Sequence, residues 1–190
     1  MSVNNPTVFD VALFRFFHNV VAAPAYYLYS RRLNFRDGAR VLEFGCGSGA
    51  LSIFLARRLA RCGGHLTCLD VARPWVDATT ERLKGFGNVD FLLGDIRDLD
   101  VAPDSFDAAI VHLVLHEIAE SARVRTMAAV ARVLRPGGLL YLREPTSSGH
   151  GVDPASVDGV MAEAGFARVQ SREERSYLFM SSYRAVFRRL

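Results

Sequence analysis

The run Val41-Leu42-Glu43-Phe44-Gly45-Cys46-Gly47-Ser48-Gly49-Ala50 constrains this chain more than any other stretch. Val41, Leu42 and Phe44 read as a buried strand, Gly45, Gly47 and Gly49 as a turn, and helix formers follow from Ala50 to Leu59. Glycines at alternate positions strip the turn of Cβ atoms. A ligand can then lie against the backbone and meet main-chain N–H groups at the positive end of the next helix. A strand-to-helix turn alone needs fewer glycines than this.

The turn does not name its ligand. Gly45, Gly47 and Gly49 fit the G-x-G-x-G turn of methyltransferases that use S-adenosylmethionine, while Gly45, Gly47 and Ala50 fit the dinucleotide pattern G-x-G-x-x-A. The remainder of the chain has to choose.

That remainder alternates strand and helix. Strands are expected over 39–44, 65–69, 89–93, 106–111 and 139–143, and helices over 50–61, 74–84 and 120–134. Pro136-Gly137-Gly138 is expected to stop the third of these helices. A loop over 146–153 and a short helix over 154–164 precede two consecutive strands, 166–173 and 177–187. Alternation implies a parallel sheet with helices on both faces, and the final pair implies an antiparallel hairpin at its edge.

With 190 residues the chain reads as one catalytic domain, 37–190, preceded by a helical segment, 1–36. Half the residues are hydrophobic and 23% are charged, ordinary for a globular protein. The net charge is +3 and Lys84 is the single lysine, so an anionic partner is permitted but not demanded. Cys46, Cys62 and Cys68 have neither disulfide nor zinc spacing, which suits a reducing compartment. No signal peptide and no apolar run of about 20 residues is visible, so a cytoplasmic location without a membrane span is expected.

The N-terminal segment is aromatic: Phe9, Phe14, Phe16, Phe17, Tyr26, Tyr27 and Tyr29. It reads as helix from Val8 to Leu33, interrupted at Pro24. It is expected to close over the ligand as a lid, with His18, Tyr26 and Tyr27 as polar handles opposite His112 and His116, or else simply to pack as a pair of helices covering the sheet edge. Arg31 and Arg32 after the tyrosines also suit a lipid interface, which leaves peripheral membrane contact open.

Three further places carry chemistry. Asp70 ends the second strand, 21 residues beyond Gly49, where a carboxylate accepts both hydroxyls of a ribose. Gly94-Asp95-Ile96 follows the third strand, where Asp95 can accept from an adenine amino group and the Ile96 N–H can meet the ring. His112 and His116 are four apart; on a helix they would share a metal, but no third ligand is evident and no metal is expected. As a base, His116 titrates in a useful range.

Taken in order, Val41 to Gly49, Asp70, Gly94-Asp95-Ile96, the segment 105–118 with Phe106-Asp107, and the segment 132–141 with Leu134-Arg135-Pro136-Gly137-Gly138 resemble the successive motifs of class I S-adenosylmethionine-dependent methyltransferases. The resemblance covers about residues 39–144 and is similar in flavour to small-molecule enzymes of the quinone-biosynthesis type. The segments before strands four and five set it apart from dinucleotide enzymes. It implies a Rossmann-like, doubly wound α/β sheet of seven strands in the order 3-2-1-4-5-7-6, strand seven antiparallel, here with an N-terminal helical cap.

The resemblance also assigns roles. Glu43, Gly45, Cys46, Gly47 and Gly49 would surround the methionine part of S-adenosylmethionine; Asp70 would hold the ribose, Val71 would lie on the adenine, and Asp95 and Ile96 would take its edge. His112 and Leu113 would lie under the sulfonium, and His116, His112, Tyr26 and His18 are the candidate catalytic residues. Ala72-Arg73 departs from the small polar residue often found after the ribose acid. The exocyclic-amine signature of nucleic-acid enzymes and the paired-glutamate loop of protein-arginine enzymes are absent, as is any appended nucleic-acid module. The expected reaction is methyl transfer to a small-molecule or lipid-like acceptor by in-line displacement. An RNA or protein methyltransferase and a non-catalytic binding domain are the alternatives.

Overall fold

The structure, a computed structural model, describes residues 16–146, 151–175 and 181–190. Two compact units make up the chain, one ending at Asp95 and the other beginning at Ile96.

In the first unit, β1 (Arg40–Phe44), β2 (His65–Asp70) and β3 (Val89–Leu93) are parallel, with Val41 opposite Leu66 and Leu66 opposite Val89. Val41, Leu42, Leu66 and Cys68 are wholly buried, as expected of parallel strands covered on both faces. Two helices link them. α2 (Ser52–Arg61) buries Ile53, Leu55, Ala56 and Leu59 on one stripe and turns Arg57 and Arg61 to water; α3 (Arg73–Leu83) begins with Pro74 in its first turn and buries Trp75, Val76 and Thr79.

The N-terminal segment differs from the single interrupted helix expected for it. Phe17–Val21 is a π turn, Ala22 ends it, and α1 (Ala23–Arg32) starts with Pro24 in its first turn. Pro24 therefore opens a helix instead of interrupting one, because its missing N–H costs nothing in a first turn. Residues 8–15 lie outside the described residues. α1 packs on α2: the Tyr27 and Phe54 rings meet edge-on at 5.8 Å, the Arg58 guanidinium donates to the Ser30 carbonyl, and Tyr29 and Leu33 are buried.

In the second unit, β4 (Phe106–His112) runs parallel to β5 (Leu134–Pro145), and β7 (Ser181–Arg189) pairs antiparallel with both β5 and β6 (Phe166–Arg175). Helices α4 (Glu120–Val133) and α5 (Pro154–Glu163) complete it, the latter capped by the Asp153 carboxylate accepting from the Ser156 N–H at 2.8 Å. The seven strands follow the order β3-β2-β1-β4-β5-β7-β6, as the resemblance implied.

Pro136-Gly137-Gly138 is not the helix stop expected of it. α4 ends at Val133, Leu134 is already extended, and the three residues lie inside β5 as a bulge. Between Phe106 and Ala108 on β4, β5 advances from Leu134 to Leu139. Gly137 supplies a φ of +74°, and a Cβ on Gly138 would stand 2.8 Å from the Arg135 carbonyl oxygen. The Arg135 guanidinium closes the bulge on Asp107 at 2.9 Å. Residues 177–180 of the expected last strand lie outside the described residues, and the described strand continues to Arg189. Among the described residues no helix is long and apolar enough to cross a membrane.

Candidate active site

The glycine turn is tied down from two sides within the first unit. The Gly47 N–H donates to Asp70 Oδ2 at 3.0 Å, and the Gly47 carbonyl accepts from Thr79 Oγ1 at 2.7 Å. Asp70 also accepts the Ala72 N–H on Oδ1 at 3.0 Å, and the Val71 N–H acts on the same carboxylate. Burial raises the Asp70 pKa, against the pull of those N–H groups.

Four N–H groups of this turn find acceptors within the protein. Gly45 and Cys46 both donate to the Leu69 carbonyl, at 2.8 and 3.0 Å, Gly47 donates to Asp70, and Gly49 donates to the Cys46 carbonyl at 3.0 Å.

What the turn offers is space. Gly45, Gly47 and Gly49 have φ of +76°, +53° and +74°. A Cβ on Gly47 would meet no protein atom within 4 Å, whereas one on Gly49 would stand 3.1 Å from Thr79 Oγ1 and Arg82 Cδ. Gly47 therefore leaves a cradle open and Gly49 permits close packing. Thr79, which holds the first and crowds the second, went unnoticed in the sequence because it looks like any small helix residue.

Glu43 and Cys68 lie buried below the turn, with the Cys68 thiol donating to Glu43 Oε2 at 3.7 Å, and Cys46 is buried as well. Burial pushes the Glu43 carboxyl up to about 8. Val71 is 48% exposed beside Asp70, an apolar side chain left open to a flat ring. The Gly94 N–H donates to the Asp70 carbonyl at 3.0 Å, which brings the half-buried Asp95 to the end of β2. Ile96 is wholly buried, so only its backbone is available to a ligand. A nucleoside with a cationic tail fits this set: diol acceptors at Asp70, an open cradle at Gly47, and buried carboxyl groups in place of phosphate donors. Glu43, Gly45, Cys46, Gly47, Gly49, Asp70, Val71 and Asp95 are the residues that would hold it. His18 and Tyr26 also lie in this unit and share a hydrogen bond of 2.6 Å from Nδ1 to Oη; burial lowers the His18 pKa to about 4.

The second unit carries His112, Leu113 and His116. They are not on one helix: His112 ends β4, and His116 sits in the 3-10 turn Leu115–Glu117, so the shared-face geometry considered for a metal does not arise. Leu113 adopts φ +61°, a left-handed conformation uncommon for a bulky residue. Its N–H donates to the Arg143 carbonyl at 2.8 Å. The next three N–H groups converge on one carboxylate: Val114 and Leu115 donate to Glu144 Oε1 at 2.8 and 2.9 Å, and His116 donates to Oε2 at 3.2 Å. The His116 ring joins them, Nδ1 lying 2.7 Å from Glu144 Oε2, while Nε2 lies 3.2 Å from Glu117 Oε1.

Burial alone would lower the His116 pKa, but the bond to Glu144 and the charges of Glu144 and Glu117 outweigh it and raise the pKa above 6.5. Glu144 is the residue the sequence reading missed. The signal was present: one acid near the end of the otherwise apolar run Leu139-Leu140-Tyr141-Leu142, just before Pro145.

Residues 41–138 match the family described as "Methyltransferase domain". A ubiquinone biosynthesis O-methyltransferase of Xanthomonas campestris is 36% identical over 107 residues, covering 55% of this chain and 42% of the relative. That of Xylella fastidiosa is 37% identical over 110 residues, covering 56% and 42%. The chain thus spans about two-fifths of the length of these curated relatives. Among solved structures, a S-adenosylmethionine-dependent methyltransferase from Methanosarcina mazei superposes with a TM-score of 0.71 at 18% identity, covering 86% of this chain and 97% of that one. A cyclase, SpnF, superposes at 0.75 with 21% identity, covering 88% and 80%. At these identities the likeness to solved structures shows the fold alone, and the cyclase illustrates that this fold does not dictate one reaction.

Proposed function

We propose, from the premise that the chain belongs to the class I S-adenosylmethionine-dependent methyltransferases, that it methylates a hydroxyl group of a small-molecule acceptor, with His116 as the base. The observation that carries the reading is the His116 imidazole bonded to a buried carboxylate on Nδ1 and to an exposed one on Nε2. The O-methyltransferase relatives support a hydroxyl acceptor.

S-adenosylmethionine supplies, when bound, a methyl group on a positively charged sulfur. Asp70 accepts from the ribose hydroxyls, Val71 covers one face of the adenine, and Asp95 accepts from its amino group. Glu43 would lie toward the methionine part, where the cationic sulfur would favour its ionised form. His116 holds Nδ1–H against Glu144, which leaves Nε2 to take the acceptor's hydroxyl proton once Glu117 moves aside. The oxygen keeps the electron pair, and the imidazolium returns its proton to solvent through Glu117, whose side chain is 42% exposed.

The segment 1–36 serves in this reading as the lid that recognises the acceptor. Phe16, Phe17, Val20, Val21, Tyr27 and Leu28 are exposed apolar side chains, which supports a surface that closes on an apolar ligand. Since α1 is packed on α2, closure falls, among the described residues, to 16–22. Hydrogen exchange of residues 16–22 should slow when donor and acceptor are both present; indifference to both removes the lid.

The function is tested with S-adenosylmethionine carrying a labelled methyl group, offered with phenols and catechols, with total RNA, or with unrelated proteins. Label is expected in the small molecules, and His116→Gln should reduce its transfer by about 10²–10⁴-fold. Label entering only RNA or protein, or full activity of His116→Gln, overturns the reading.

A further inference from the structure

The geometry points to Glu144 as the positioning residue of this site: its carboxylate fixes the His116 imidazole as the Nδ1–H tautomer and holds the left-handed turn at Leu113 in place. The inference deepens the reading of His116 as a base and rests on it for its catalytic meaning, but its structural content stands on distances in one unit.

Four contacts from one side chain carry it. Glu144 is wholly buried at the end of β5, and Oε1 accepts the N–H groups of Val114 and Leu115 while Oε2 accepts the N–H and faces the ring of His116. A carboxylate oxygen accepts a hydrogen bond from either ring nitrogen, and in the neutral ring the shorter contact, 2.7 Å to Glu144 against 3.2 Å to Glu117, keeps the one proton on Nδ1. Nε2 is thereby left with the lone pair in the neutral ring. The three successive N–H groups wrap the carboxylate as a nest wraps an anion.

The same grip explains how Leu113 stays at φ +61°. A non-glycine residue in that region costs roughly 1–2 kcal/mol and persists only where its surroundings over-determine it. Here the Leu113 N–H is fixed to the Arg143 carbonyl, and the three following residues are fixed to Glu144, the next residue of the same strand. β5 thus dictates the path of the chain between the end of β4 and His116.

Glu117 does not share this role. It approaches Nε2 from the turn itself and is exposed. Glu144 from β5 and Glu117 from the turn are the charged groups acting on the His116 ring. One is held and the other is free to move, which divides them into the group that orients the ring and the group that yields to an acceptor.

The test uses the full chain without ligand. Nitrogen-15 NMR of the histidine rings should show His116 as the Nδ1–H tautomer above its pKa, with that pKa above 6.5. Glu144→Gln places an amide against the ring that can donate to Nδ1, and should shift the tautomer toward Nε2–H, lower the pKa and speed exchange of the 114–116 amides by at least 10-fold. Glu117→Gln should leave the tautomer as it is. A wild-type ring carrying its proton on Nε2, or a tautomer and pKa unmoved in Glu144→Gln, overturns the inference; the wild-type measurement decides even if the variant does not fold. The expected spectra together with full turnover by His116→Gln would instead overturn the base reading and leave the role of Glu144 in the turn intact.

Discussion

Glu144 Oε2 lies 2.7 Å from His116 Nδ1 and 3.2 Å from the His116 main-chain nitrogen, so one oxygen fixes both the ring and the backbone of the same residue. Removing it strands several donors at once. Glu144→Ala leaves the buried Leu115 N–H and its neighbours without an acceptor, at about 1–3 kcal/mol for each buried group left unsatisfied. Denaturant titration should therefore show a loss of about 3 kcal/mol or more. A loss below about 1 kcal/mol would mean that water replaces the carboxylate.

The pH–rate profile carries the same relationship into catalysis. A base must be neutral to act, so turnover should rise with pH through the raised His116 pKa, with an acid limb above 6.5. In Glu117→Gln one of the charges that raises this pKa is gone, and the limb should move to lower pH while Glu144 still holds the ring. A limb at the same pH in both proteins would detach the limb from His116.

Gly47 and Gly49 should separate binding from folding. Gly47→Ala costs roughly 1–2 kcal/mol for φ +53° and meets no protein atom, yet fills the cradle. Gly49→Ala adds crowding against Thr79 and Arg82, for a total of about 2–5 kcal/mol. Thermal melts should rank Gly49→Ala as the less stable, and calorimetry should show the larger loss of S-adenosylmethionine affinity per unit of stability in Gly47→Ala. The reverse ranking would place the ligand elsewhere.

Asp70→Asn keeps one acceptor and removes the charge that faces both the turn and the ribose. Loss of a charged hydrogen bond corresponds to about 1.5–3 kcal/mol of S-adenosylmethionine binding. Calorimetry giving unchanged affinity would remove Asp70 from the donor site.

Glu43 gives a stability signature without any ligand. Its folded pKa is raised from 4.5 to about 8, so the folded state prefers the protonated carboxyl more than the unfolded chain does. Its contribution is complete below 4.5 and is lost as pH rises through about 8. The difference in unfolding free energy between Glu43→Gln and wild type should therefore grow in favour of the variant from pH 5 to pH 8.5. A difference independent of pH would show that Glu43 is ionised in the folded protein throughout.

The sequence by itself determined the local pieces. Alternating apolar runs and turn residues placed the strands to within a few residues, and the glycine turn with Asp70 marked a nucleoside site. These are legible because each depends on neighbours in the chain: a strand on its apolar run, a turn on its glycines. Pro136-Gly137-Gly138 misled for the same reason. Its local chemistry says stop, while pairing with β4 absorbs it as a bulge in β5.

Only the tertiary structure decided how the site is wired. The N–H groups of Gly45, Cys46, Gly47 and Gly49 are spent on Leu69, Asp70 and Cys46, Thr79 reaches back from α3 to Gly47, and Glu144 holds His116 across 28 positions of sequence. A glutamate near the end of a strand looks the same in sequence whether it faces water or a buried imidazole. The difference comes from burial, which makes an unpaired carboxylate costly and so compels it to gather every donor that parallel pairing of β4 with β5 brings within reach.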